Sequence, residues 1–211
     1  MFEIFGSWDG HTFDDPGEAV DQMASEFQHH ADELPDLMKR ELKLYLSGVA
    51  ERLAVRHGVP WPGGTTATTL SRRSGALVDS ILGSVKVDGD LGDIIGHIGG
   101  IYYAKTHETG AVLTSRHGGY LCIPLPAALN ADGTPKMLRP RDWGNTYKMK
   151  SKAGNLIIFK RTARKGAGIP LYVLKKSVTI PARLGMGIEL EGGITEFSNS
   201  MLAAVRSEFG I

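Results

Sequence analysis

A single cysteine, Cys122, stands among the 211 residues. One thiol excludes an internal disulfide framework and any multi-cysteine zinc or iron–sulfur centre, and it leaves the redox compartment open. No apolar run approaches the roughly 18 residues that a membrane span requires. Residues 1–36 hold no lysine or arginine, whereas a secretory signal starts with a basic segment. The expectation is therefore a soluble protein made and used without export, with no membrane partner. An excess of either charge is also missing. Lys+Arg is 24 and Asp+Glu is 23, so the formal charge is +1, which argues against a protein that coats nucleic acid with its whole surface.

What is present is unevenly placed. Residues 1–36 contain ten acids and no Lys or Arg, a charge of −10, while residues 136–176 contain twelve bases against Asp142 alone, a charge of +11. Half of the positive charge lies in about a fifth of the chain, and any function has to account for both poles. The 27 glycines exceed the average usage of roughly 7%, and they cluster, so long loops are expected between short elements. The length fits one compact domain over 1–211 carrying an inserted basic loop or β-arm at 111–176.

Asp15-Pro16 is a good helix start, because the carboxylate caps free N–H groups and proline at the first position loses no bond. Val20, Met23, Phe27, Ala31 and Leu34, then Met38, Leu42, Tyr45, Val49 and Leu53, recur at three- and four-residue spacing, which predicts one long amphipathic helix to about Arg56. Pro35 removes one bond and is expected to kink the helix or split it in two. A shorter helix follows through Leu77, Ile81 and Leu82, closed by Gly83. Short β-prone stretches are then expected at 84–87, 94–98, 101–104, 120–123, 156–159, 171–174 and 177–180, before a terminal helix from Ile194 to Phe209. The fold class is α+β: helices at both ends, possessing between them a mostly antiparallel β-sheet with an extended β-hairpin insertion.

Catalytic patterns fail on inspection. His107-Glu108 begins like the zincin motif His-Glu-x-x-His, but position 111 is Ala111, and Gly110 would weaken such a helix. His29 and His30 point about 100° apart on a helix and do not share a metal easily, so they belong to a solvated face. There is no Gly-x-Ser-x-Gly elbow. Cys122 lies in an apolar run and is expected to serve as a small core hydrophobe. Residues 92–100 lack the Gly-Lys-Ser/Thr end of a P-loop. The expectation is no enzyme, no metal and no cofactor.

The basic stretch supports three readings. Lys148, Lys150 and Lys152 alternate onto one face of a strand, and Lys160-Arg161 with Arg164-Lys165 flanks a hairpin tip. Interleaved with Trp143, Tyr147 and Phe159, these bases could follow a phosphate backbone as a nucleic-acid-binding module. They could equally be a solvated edge protected by its lysines. They could also meet the acidic helix of a neighbouring identical subunit, which accounts for two opposite poles on one nearly neutral chain.

Three segments carry a resemblance. They are Arg72-Arg73-Ser74-Gly75-Ala76-Leu77 followed by Ser80-Ile81, then Tyr102-Tyr103-Ala104-Lys105-Thr106-His107-Glu108-Thr109-Gly110, and late in the chain Ile180-Pro181-Ala182-Arg183 before a closing helix. Their order resembles the phage virion morphogenesis and tail-completion family, the Mu-type group and its relatives among siphophage neck proteins. Where that family continues Pro-Ala-Arg with Pro-Phe-Leu, Leu184-Gly185-Met186 stands here, and the insertion at 111–176 is long. The resemblance implies a non-enzymatic virion protein of the head–tail junction, present in the host cytoplasm during assembly. It implies a ring of six identical subunits that joins neck adaptor or connector proteins to tail tube or terminator proteins and lets DNA pass. Within the motif, Gly110 is free to take positive φ, and His107 or Glu108 can bond the backbone of the turn. Arg183, behind a fixed Pro181, can present its guanidinium to a carboxylate in the same subunit or across an interface.

Overall fold

The computed structural model describes residues 6–8, 11–13, 15–163 and 168–210. It is α+β, with a long helix early in the chain, a helix at its end, and antiparallel ladders between them. Two compact units divide it: residues 1–48, 85–97 and 191–211 form one, residues 49–84 and 98–190 the other.

Strands β1 (Gly6–Trp8) and β2 (His11–Phe13) of the first unit form a short antiparallel pair that the sequence did not announce. Helix α1 (Pro16–Arg56) opens as expected, with the Gly17 N–H donating to Asp15 Oδ1 at 2.8 Å. Pro35 costs α1 a bond but does not divide it, so of the two expected outcomes, a kink or a split, the split is absent. Leu37, buried two residues beyond the proline, and Leu46, about three turns on, supply packing for the C-terminal side of the helix. The last part of helix α4 (Met186–Glu208) runs antiparallel to α1 in this unit. Tyr45 stacks on Phe197 at 4.8 Å, Ser200 donates to Glu41 at 3.1 Å, and His30 lies 5.1 Å from the ring of Phe209. His30 is thus covered by α4, while His29 keeps the solvated position expected of both. Strands β3 (Lys86–Asp88) and β4 (Ile95–His97) pair and rest on α1 at Gly96. A Cβ there would come within 2.6 Å of Leu46 Cδ1 and 3.0 Å of Leu42 Cδ2, so a larger residue would force those side chains to shift.

In the second unit the last turns of α1 bury Val49, Leu53 and His57, together with Ile81 of helix α2 (Ala76–Leu82) and Leu184. The strand expected at 101–104 is a turn leading into helix α3 (Ala104–Thr109). Its physical cause is Ser80, whose Oγ accepts the Ile101 N–H at 2.9 Å and removes that group from any ladder. The strand of this motif comes after Gly110 instead: β5 (Ala111–Thr114) pairs with β10 (Ser177–Ile180) and closes the base of the insertion.

Beyond that base lies a four-stranded antiparallel sheet in the order β6-β9-β8-β7. Its strands are β6 (Leu121–Pro124), β7 (Thr146–Lys150), β8 (Leu156–Arg161) and β9 (Gly168–Lys175). The extended hairpin is β8–β9, and β7 and β6 flank it. It has its own core of Ala128, Ile158, Leu171, Tyr172 and Leu174, with Trp143 and Leu156 packed alongside. Trp143 Nε1 donates to the Tyr172 hydroxyl at 3.1 Å, which satisfies the polar edge of a half-buried indole. Cys122 is exposed on edge strand β6 and not a core residue, because the alternation of the strand turns Leu121 and Ile123 inward. Desolvation by its surroundings pushes its thiol up, only partly offset by Lys148.

Candidate functional site

The three motif segments converge in the second unit. Ser80 ties the first to the second through Ile101 and also donates to the Leu77 carbonyl at 2.7 Å, which fixes its hydroxyl. The second is tied to the third by the His107 carbonyl, which accepts the backbone N–H groups of Arg183 at 2.7 Å and Leu184 at 2.8 Å. Gly110 ends α3 with φ 72, and a Cβ on it would lie 3.1 Å from both Ile180 O and Ala182 N. Conformation and space therefore both demand glycine there.

Glu108 works at a distance. Its carboxylate accepts the N–H of Met186 at 2.8 Å and that of Gly187 at 2.9 Å, so it caps α4 from 78 residues away. A charged acceptor on the free N–H groups of a first turn satisfies donors that no local side chain reaches. Glu189, one turn on, accepts from Arg52 and Arg56 at 3.2 Å each. The start of α4 is thus held to α3 and to the last turns of α1.

His57 is 2% exposed and bonded at both ring nitrogens. The Leu70 N–H donates to Nδ1 at 3.1 Å, so the neutral ring carries its proton on Nε2 and donates it to the Leu184 carbonyl at 2.9 Å. Desolvation holds its pKa below the ordinary 6.5, opposed by the bond to Leu184 and aided by Arg56. His107 is lowered as well, by desolvation first and then by Arg183 and His57. Its Nδ1 is buried and has no hydrogen-bond partner, and the same is true of Arg183 Nε.

His57, His107 and Arg183 are among the residues that line a cavity of about 470 Å³, together with Trp61, Arg72 and Tyr103. One side is closed by Arg73, which stacks 4.4 Å above the Trp61 ring and donates to the Gly133 carbonyl at 3.0 Å. His57, Trp61 and Glu189 were not singled out from the sequence. His57 had a signal, since it continues the Val49, Leu53 spacing by one more turn.

The basic residues form a separate group on the sheet. Lys148 and Lys150 are exposed on edge strand β7, opposite Ile158 and Leu156, and Lys152 is exposed in the turn that follows. Lys160 lies 5.3 Å over Trp143 and Arg161 lies 5.0 Å over Tyr147, so both are engaged with aromatic faces of the arm. Arg164 and Lys165 lie outside the described residues. Among the described residues no group of three His, Cys, Asp or Glu side chains is placed to hold a metal, and no helix is long and apolar enough to cross a membrane. Comparison with family models, curated proteins and solved structures finds no match for the chain.

Proposed function

We propose that the chain is a structural virion protein of the phage head–tail junction, of tail-completion or tail-terminator type, with no catalytic step of its own. Six copies form a ring that joins neck adaptor or connector proteins to the tail tube and lets DNA pass. The observation that supports this reading is the convergence of the three motif segments that carry the resemblance. Segments starting at Arg72, Tyr102 and Ile180 meet through Ser80, His107 and Gly110, where the His107 carbonyl, the Ser80 hydroxyl and the Glu108 carboxylate all accept backbone N–H groups. Bonds of that kind fix geometry, which suits a scaffold.

Charge placement suits a ring. A closed cycle needs two different complementary surfaces on each subunit, and this chain carries an acidic stretch at 1–36 and a basic stretch at 136–176. The test is negative-stain imaging of the chain mixed with the neck adaptor and tail-tube proteins of the same phage. Rings seated on tube ends support the reading, and tubes left bare in the presence of monomer count against it.

A second reading, contact with nucleic acid, rests on Lys148, Lys150 and Lys152, which are exposed side by side. A binding titration over salt separates the two. Affinity for DNA that falls steeply with salt supports the second reading, while salt-sensitive assembly without DNA binding supports the first.

A further inference from the structure

We propose that the cavity beside Arg183 is a carboxylate-binding site that takes an acid group carried on an apolar body. Its lining holds Arg72, Arg73, Arg183, His57 and His107 but no aspartate or glutamate. Two of these are already used: Arg73 by Trp61 and Gly133, and His57 by Leu70 and Leu184. What remains is Arg183, whose Nε is buried without a hydrogen-bond partner, with His107, whose Nδ1 is in the same state, and the exposed Arg72; all three residues line the cavity. None of the ion pairs among the described residues involves Arg183.

A guanidinium in no ion pair, at a cavity whose lining has no acid, carries a charge that an anionic ligand balances, so it marks where an acid group belongs. The chemistry selects the partner. One guanidinium matches one carboxylate, through two parallel N–H···O bonds and equal and opposite charge. A phosphate dianion would need a second base, and the only other uncommitted one in the lining is the exposed Arg72. Trp61, Leu70, Leu77, Val78 and Tyr103 supply apolar wall, with the hydroxyl residues Thr65, Ser71 and Ser74 among them, which suits an acid group attached to an apolar body. The inference concerns what this cavity takes, and it stands whichever assembly the chain joins.

The test is an NMR titration of the full-length chain carrying ring-labelled histidine, at neutral pH and constant ionic strength. The probes are N-acetyl-leucine, N-acetyl-leucinamide and inorganic phosphate. N-acetyl-leucine is expected to shift the His107 ring signals saturably. The uncharged amide should bind at least about tenfold more weakly, the value of one charge-assisted hydrogen-bonding pair. Arg183→Gln should bring the acid down to the level of the amide, and Arg183→Lys should retain part of the difference, with circular dichroism confirming that both are folded. The acid and amide comparison on the unmodified chain decides the matter even where a variant fails to fold. Equal affinity for acid and amide, tighter binding of phosphate than of the acid, or no saturable shift would each overturn the proposal.

Discussion

The Arg183 N–H donates to the His107 carbonyl at 2.7 Å, and the Leu184 N–H shares the same acceptor at 2.8 Å. One peptide oxygen at the end of α3 therefore carries the chain where it leaves β10 for α4. Glu108, the next residue, caps α4 from the same short helix. Six residues of α3 thus position a strand end, a helix start and the Arg183 side chain together.

Removing the cap should cost stability without changing the fold. Glu108→Ala strips the acceptor from two partly buried N–H groups, and the expected loss is about 1–2 kcal/mol. Urea unfolding followed by circular dichroism measures it. A loss well below that range would mean that water caps α4 equally well.

Gly110→Ala should be costly for a different reason. The backbone is held at φ 72, and the new Cβ would press on Ile180 O and Ala182 N, so a loss of about 1–3 kcal/mol is expected. Gly144→Ala is the matched control, since no atom lies within 4 Å of its Cβ position; it should stay within about 0.5 kcal/mol of the parent.

Stability should fall as the solution becomes mildly acidic. Desolvation lowers the folded-state pKa of both His57 and His107 below 6.5, so the unfolded chain takes up protons first. Their contribution is complete above the ordinary value of 6.5 and is lost as pH falls from there towards the lowered folded values. Urea midpoints measured between about pH 5 and 8 should be flat at the upper end and decline at the lower. His107→Gln should make that decline shallower, and an unchanged slope would remove His107 from the account.

Assembly should depend on charge at the edge of the arm. Lys148→Glu with Lys150→Glu reverses two exposed bases on β7 without touching the buried cluster of Ile158, Tyr172 and Leu174. If the arm meets the acidic pole of a neighbour, the variant should lose oligomer while its thermal midpoint is preserved. Raising salt should weaken the parent in the same direction, because exposed pairs are screened beyond about 8 Å at physiological ionic strength. Light scattering over a salt series reads both effects.

Much of the fold was legible where the signal is local. The stripe from Val20 to Leu53 and the Asp15-Pro16 start mark α1, and β10 stands at its expected residues. Features whose cause is distant were hidden. Strand β5 follows a glycine and exists because β10 pairs with it, a partner more than sixty residues later in the chain. Ile101-Tyr102-Tyr103 has strand propensity, but Ser80 captures the Ile101 N–H and the chain turns into α3. Helix α4 begins eight residues before Ile194 because Glu108 supplies its cap; Gly187, Gly192 and Gly193 disguise that first stretch. The same contrast holds at the site. His107, Glu108, Gly110 and Arg183 stand out by their order along the chain, but only three-dimensional proximity reveals that Glu108 caps a remote helix and that Arg183 lines a cavity with His107.

The central claim is that identical copies close into a ring, and mass photometry of the purified full-length chain over a concentration series tests it most directly. The account predicts a discrete species near 137 kDa, six times the 22.8 kDa chain, with no ladder of larger open forms. A single species at 22.8 kDa at every concentration, unchanged when adaptor and tail-tube proteins are added, would contradict it.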